Sequence, residues 1–357
     1  MTSYVFYLSR TETTEPMVQV TKSQMIVDES LPVLVYTVLG TTIKYQYYIW
    51  QSIKQARVLN PFNRIIVIFH LEGYENSKTE IEQNQKEFNF EIVFYDDLAK
   101  TSKLIEEFRS NFFVLADMVP IDGNKDFVRF TTERLIILNE LALSYNLKNV
   151  FHLENDNMMY IEMKDMIPYF ETCNIGVAIP IIDVNQAAVS IIYFREAKDI
   201  ESLGQFIISM YKKGRAGLED YMKTNAINDM TLVYKYLSEV NKSETNRRVT
   251  TFPTWIIKEN DNCLWNEKKV IYDGAAIGQY FGGTHVDPHA RWYEPQRPFK
   301  ELKGKILIWK PCFSNKSAFC PWIDDRLVVN LHIHSKQLQR FYSLNPEISD
   351  VSKYDGQ

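Results

Sequence analysis

No stretch of this chain approaches the roughly 18 to 20 uninterrupted apolar residues that a membrane-spanning helix needs, so no transmembrane segment is expected. The first fifteen residues are polar, with no basic lead-in followed by an apolar core, which argues against a secretory signal. There is no C-x-x-C pairing: Cys173, Cys263, Cys312 and Cys320 are scattered. They read as buried or free thiols of a reducing cytoplasm rather than a zinc site or a disulfide framework, with a Cys312–Cys320 bridge as the alternative. An excess of basic charge is also lacking. The formal net charge is −5, so a general affinity for nucleic acid is not expected. Neither G-x-G-x-x-G nor a P-loop occurs, which counts against dinucleotide and ATP-motor readings. Internal repeats and low-complexity tracts are absent.

What remains is an ordinary globular composition, 45% hydrophobic and 24% charged, in 357 residues. From Leu31 onward, short β-branched runs alternate with helical patterns, the signature of βαβ units. Strands are expected at Pro32–Val38, Arg64–Phe69, Phe90–Tyr95 and Asn149–Leu153, with helices from Gly40 to Arg57 and from Thr131 to Tyr145. The second half is more mixed. Strands are expected at Gly176–Ile182 and Ala187–Phe194, helices at Ala197–Tyr211 and Met230–Val240, then a strand at Leu327–His334 and a closing helix near Ser335–Tyr342. The division expected is an N-terminal extension (1–30), one α/β domain (31–345) and a C-terminal tail (346–357). Within the domain, 31–157 forms a nucleotide-binding half and 158–345 an acceptor half.

The most informative segment is Leu153-Glu154-Asn155-Asp156, where an apolar strand ends in two acids spaced i, i+2. The carboxyl edge of such a sheet is where open α/β folds bind ligands. Carboxylates at this spacing can share a divalent cation, which neutralises a diphosphate leaving group. A solvated strand-to-helix turn is the competing reading. Near the other end, Leu331-His332-Ile333-His334-Ser335-Lys336 puts two imidazoles on one face of a strand and Leu331 and Ile333 on the other.

The acidic turn resembles the D-x-D motif of metal-dependent glycosyltransferases of the GT-A fold, in an E-x-D form. Phe127 to Leu135 is similar to the Arg-bearing helix start that precedes D-x-D in several such families. Asp273-Gly274-Ala275-Ala276-Ile277-Gly278 through Gly283 resembles a segment of capsule-type and large-virus glycosyltransferases, or else is a tightly packed helix with a Gly-Gly exit turn. The resemblance implies a GT-A, Rossmann-like mixed central sheet flanked by helices, with an acceptor-side extension. It implies transfer of a sugar from a nucleotide-diphosphate sugar, UDP favoured, to a glycan or other hydroxyl acceptor, assisted by Mn²⁺ or Mg²⁺.

By the same resemblance Asp156 is a metal ligand and Glu154 a ligand or a ribose contact. A late histidine completes the shell, His334 favoured over His332 for its place nearer the strand end. Asp229, or alternatively Glu219 or Asp220, is the base in an inverting mechanism. Val38, Leu39 and Gly40 meet the nucleotide at the end of the first strand, Asp96 or Asp97 the base edge, and Asn155 lies within the motif. Arg129 is the preferred phosphate clamp over Arg134, which can equally form a structural ion pair. Lys336 opposes phosphate charge. Nucleotidyl transfer to a sugar phosphate and non-catalytic carbohydrate binding are the alternatives, although Leu39-Gly40-Thr41-Thr42 lacks the Gly-rich, basic loop of nucleotidyltransferases.

Overall fold

The structure, a computed structural model, describes residues 26–40, 47–114, 126–183, 185–223, 227–255, 263, 269–284 and 297–346. Its frame is a seven-stranded sheet. Four parallel strands start it: β1 (Val33–Val38), β2 (Ile65–Phe69), β3 (Glu91–Phe94) and β4 (Lys148–Leu153). All six residues of β1 are buried, as expected of a central parallel strand covered on both faces. Alternation splits them between two cores: Leu34, Tyr36 and Val38 pack on one side, Val33 and Val35 on the other.

Helices α1 (Ile49–Leu59), α2 (Leu71–Phe88), α3 (Tyr95–Thr101), α4 (Lys103–Asn111) and α5 (Phe127–Tyr145) connect these strands. After β4 come β5 (Asn157–Met159), α6 (Ile167–Thr172), β6 (Ile175–Ile179), β7 (Ile191–Glu196), α7 (Ala197–Tyr211), α8 (Gly214–Met222), α9 (Asp229–Glu239) and β8 (Arg248–Thr251). The sheet order is β3-β2-β1-β4-β7-β6-β8. Strand β7 runs against both of its neighbours, so the sheet is mixed. The architecture is therefore the helix-flanked mixed α/β sheet that the alternating pattern implies.

The remainder comprises β9 (Val270–Ile271), α10 (Ala276–Gly282), α11 (Arg297–Leu302), β10 (Ile308–Pro311), β11 (Phe319–Ile323), β12 (Arg326–Val328) and β13 (Asn330–His332). A four-stranded sheet has the order β10-β11-β12-β9, while β13 pairs with β5 alone. The single strand expected over Leu327–His334 is thus two. It divides at Val329, whose N–H donates to Ile271 O at 2.8 Å and whose carbonyl accepts from Tyr160 N at 2.8 Å. The closing helix reduces to one 3₁₀ turn, Leu338–Phe341, because Lys336 has a left-handed backbone, φ 62°, that ends regular structure.

The cysteines require a correction. Cys173 is joined to Cys263 and Cys312 to Cys320, so the free-thiol reading fails and with it the argument for a reducing compartment. Among the described residues no helix is long and apolar enough to cross a membrane.

Candidate metal and active site

Strand β4 ends at Leu153 on the carboxyl edge of the parallel strands. The chain turns there, with Glu154 N donating to Ser190 O at 2.9 Å and Asn157 N to Glu154 O at 3.1 Å. It leaves as β5, which pairs antiparallel with β13 so that His332 lies opposite Asn157. Ile333 N donates to Asp156 O at 2.9 Å and completes the ribbon. This pairing brings a mid-chain acid and a late imidazole together. One ligand atom each from Glu154, Asp156 and His332 lies within 4.8 Å of the others. His332 Nε2 is 3.1 Å from both Glu154 Oε2 and Asp156 Oδ1.

His332 Nδ1 is 2.8 Å from Gly274 O. A carbonyl only accepts, so Nδ1 carries the proton there and Nε2 is the atom turned to the carboxylates. Two carboxylates and an imidazole nitrogen oriented through its second ring atom form the oxygen–nitrogen set that divalent cations take. The donor set fits a metal.

Cations gather on these acids. Lys336 pairs with Asp156, and its Nζ stands 5.0 Å from the Tyr48 ring centroid. Arg134, from α5, reaches Glu154 at 2.7 Å and Asp229 at 3.0 Å through one nitrogen. Burial alone would raise the Glu154 carboxyl, but the Arg134 guanidinium and then His332 hold it well below the usual range. Burial is likewise overcome at Asp156, by His332 and then Lys336. The carboxylates in turn hold the His332 imidazole well above its ordinary value despite its burial. Asp229 differs: burial raises its carboxyl, and Arg134 offsets this only in part.

His334 lies beside this group rather than in it. Its ring centroid is 4.2 Å from that of His332, and Gln279 Nε2 lies 3.1 Å from its Nδ1. Burial and the neighbouring imidazolium push its pKa down to about 3, so it stays neutral. The structure therefore brings His332, not the favoured His334, onto the carboxylates, because the β5–β13 register selects it.

Asp229 opens α9, but Asn228 is the cap: its side chain accepts from Thr231 N, and Thr231 reciprocates. That leaves the Asp229 carboxylate for Arg134. The rival acids are not brought in. Asp220 is exposed and pairs with Lys223, and Glu219 lies half-buried beside it on α8. Arg129 pairs with Asp126 at 3.1 Å and with the buried Glu133 at 3.6 Å, whereas Arg134 forms the ion pair expected as its alternative, on Glu154 and Asp229. Asp96 and Asp97 do not close β3 but sit in the first turn of α3. Asp96 accepts from Leu71 N at 2.7 Å, while Asp97 is exposed. At the end of β1, Val38 and Gly40 are buried and Leu39 half-buried, and Gly40 has φ 116°, which only glycine adopts readily. Asn155 donates to Thr37 O at 3.0 Å and binds the acidic turn to β1. Thr41 and Thr42 lie outside the described residues.

Asp273 is the residue that sequence reasoning missed. Its Oδ2 accepts from His332 N at 2.9 Å and from Gly278 N at 2.7 Å, and its Oδ1 from Ile277 N at 2.9 Å. One buried carboxylate thereby serves the first turn of α10 and positions the backbone of His332. Burial raises this carboxyl, and those backbone donors oppose the rise. Gly278 allows the approach: a Cβ there would lie 2.0 Å from His332 O. The available signal was an acid closing a buried strand just before a helix start.

No protein-family model matches the chain, and no curated protein matches it in sequence. Solved structures do show likeness. Core-mannan synthase A from Aspergillus fumigatus, in a Mn/GDP form, shares 11% identity over 63% of this chain and 76% of its own, with a TM-score of 0.40. Mouse xyloside xylosyltransferase 1 shares 9% identity over 57% of this chain and 80% of its own, TM-score 0.38. A cytidylyltransferase from Leptospira borgpetersenii shares 11% identity over 57% of this chain and 78% of its own, TM-score 0.32. Overlap this partial, spread over two kinds of transferase, does not assign an activity; that rests on the side chains around Asp156.

Proposed function

We propose that this chain is a metal-dependent glycosyltransferase, moving a sugar from a nucleotide-diphosphate sugar, UDP-linked in the first instance, to a glycan or other hydroxyl acceptor. The observation that carries the reading is the convergence of Glu154, Asp156 and His332 at the carboxyl edge of the parallel strands. Asp156, His332 and Glu154 would hold Mn²⁺ or Mg²⁺, which when bound screens the charge developing on a departing diphosphate. Lys336 adds a second positive charge to the same place, released from Asp156 to meet phosphate oxygens. Arg134 fixes Glu154 and Asp229 relative to one another.

Asp229 is the proton acceptor in this scheme. The acceptor oxygen forms its bond to the anomeric carbon, the bond from that carbon to the diphosphate oxygen breaks, and the hydroxyl proton passes to the Asp229 carboxylate. Burial, which raises this group above an ordinary aspartate, makes it the stronger base among the clustered acids. With attack on the face opposite the departing diphosphate, the anomeric carbon inverts.

The test incubates the protein with a panel of UDP- and GDP-sugars, with Mn²⁺ and with chelator. Metal-dependent release of nucleoside diphosphate is the expected result. Pyrophosphate release would instead assign nucleotidyl transfer, and release of neither would leave a carbohydrate-binding protein.

A further inference from the structure

Away from this site, the stretch from Ile306 to Phe319 concentrates exposed apolar surface. Ile306 is 60% exposed, Phe313 68%, and Ile308 and Phe319 are also open to solvent. Phe319 N donates to Ser343 O at 2.8 Å, which brings the exposed Leu344 alongside. Ile308, Lys310 and Trp322 share one face of the β10–β11 hairpin, and Phe319, opposite Pro311, lies on the other. Ile308 lies opposite Trp322, whose ring meets that of Phe313 edge-on at 5.7 Å. The Cys312–Cys320 disulfide closes the turn that carries Phe313.

The charge on this hairpin is opposite to that of the chain. Residues 306 to 319 hold two lysines and no acidic residue, against a whole-chain balance of −5. Lys310 Nζ stands 4.7 Å from the Trp322 centroid and Lys316 Nζ 6.0 Å from that of Phe313. Among the described residues neither lysine is paired with a carboxylate; Asp324 and Asp325, at the far end of β11, are held by Lys305 and Lys269. Exposed aromatic and aliphatic groups flanked by free ammonium groups match the two layers of a bilayer interface, acyl boundary and anionic headgroups.

We propose that the hairpin of residues 306–319 docks this protein onto anionic lipid surfaces, with Phe313 entering the interface and Lys310 and Lys316 meeting the headgroups.

The test is flotation of the full chain with vesicles of pure phosphatidylcholine and with vesicles of equal parts phosphatidylcholine and phosphatidylglycerol. Binding is expected to the anionic vesicles alone and to weaken with added salt. Lys310→Ala and Lys316→Ala should each lower the partition coefficient about fivefold, and Phe313→Ser roughly tenfold or more. Phe62→Ser, at an exposed phenylalanine elsewhere, should leave it unchanged. All four positions are exposed, and circular dichroism verifies that each variant is folded. Equal binding to both vesicle types, no binding, or indifference to Phe313→Ser overturns the proposal. Self-association lost in Phe313→Ser, without vesicle binding, would reassign the patch to a second copy of the chain. The assay contains neither metal nor nucleotide, so its failure leaves the glycosyl-transfer reading standing, and the reverse holds too.

Discussion

Two fully folded-in aspartates, Asp156 and Asp199, each sit in a buried polar cluster, and the clusters are built differently. Asp199, in the first turn of α7, receives Ser243 Oγ at 2.6 Å, Thr245 Oγ1 and Arg247 Nη1 at 2.7 Å. All three donors come from one short stretch before β8, and two are neutral hydroxyls. Around Asp156 the partners are cationic: His332 and Lys336, with Arg134 on the adjacent Glu154. A carboxylate tied by local hydroxyls is part of the frame. One surrounded by cations drawn from β13, the following turn and α5 can exchange a proton or an ammonium for a ligand. Burial and hydrogen bonding alone do not separate a site from a strut; the chemistry of the donors does.

The sharpest way to break this contrast is Asp156→Asn. The expected loss is on the order of 10³-fold in kcat/KM, the several kcal/mol of charge stabilisation that a held cation supplies. Steady-state assay beside a urea titration checks that the loss exceeds any change in folded fraction. Asp199→Ala should do the converse, lowering unfolding free energy by roughly 3 kcal/mol because Arg247 loses its buried partner. Mn²⁺ affinity of the folded protein should stay put; if it fell with stability, the two clusters would not be separable.

A smaller effect tests the positioning of the imidazole. Asp273→Asn replaces one of the two carboxylate oxygens that accept from the His332, Gly278 and Ile277 amides with a donor, and should weaken Mn²⁺ binding about 10- to 100-fold. Turnover at saturating metal should largely survive, and a loss of turnover without a change in affinity would contradict the assignment. The smallest effect is on pH. A cation must take His332 Nε2 in place of a proton, and the carboxylates raise the pKa of the metal-free imidazole well above its ordinary value. Mn²⁺ affinity should therefore climb with pH through the neutral range, by up to about tenfold per unit. Calorimetry showing a plateau from pH about 6.5, the value of a free imidazole, would count against a role for His332.

The fold was largely legible because its parallel strands are unbroken apolar runs, as in Val33–Val38 and Ile65–Phe69. Helix α2 was not, since only Gly73, Tyr74, Ile81 and Gln85 of its eighteen residues are buried and no apolar stripe announces it. The acidic turn and the histidine pair could be found from strand ends and i, i+2 spacing. The choice between His332 and His334 could not, because it depends on which residue of β13 faces Asn157. Arg134 was undervalued for a related reason: position along a helix says nothing of what the far end of a guanidinium reaches. Asp273 makes its contacts through backbone amides, which leave no pattern in side-chain identity. The disulfides pair Cys173 with Cys263 across 90 residues, a proximity that only the tertiary fold creates.

The β5–β13 ribbon is three residues long on each side. Side chains alternate along it, so a slip of one position would present Leu331 or Ile333, aliphatic groups with no electron pair to offer, where the imidazole belongs. Adding or deleting a single residue within 330–332 is expected to undo the proposed ion site and leave the seven-stranded sheet, to which neither strand belongs, intact. Variation in length is thus far costlier at this joint than in the outer loops, however little of the molecule it occupies.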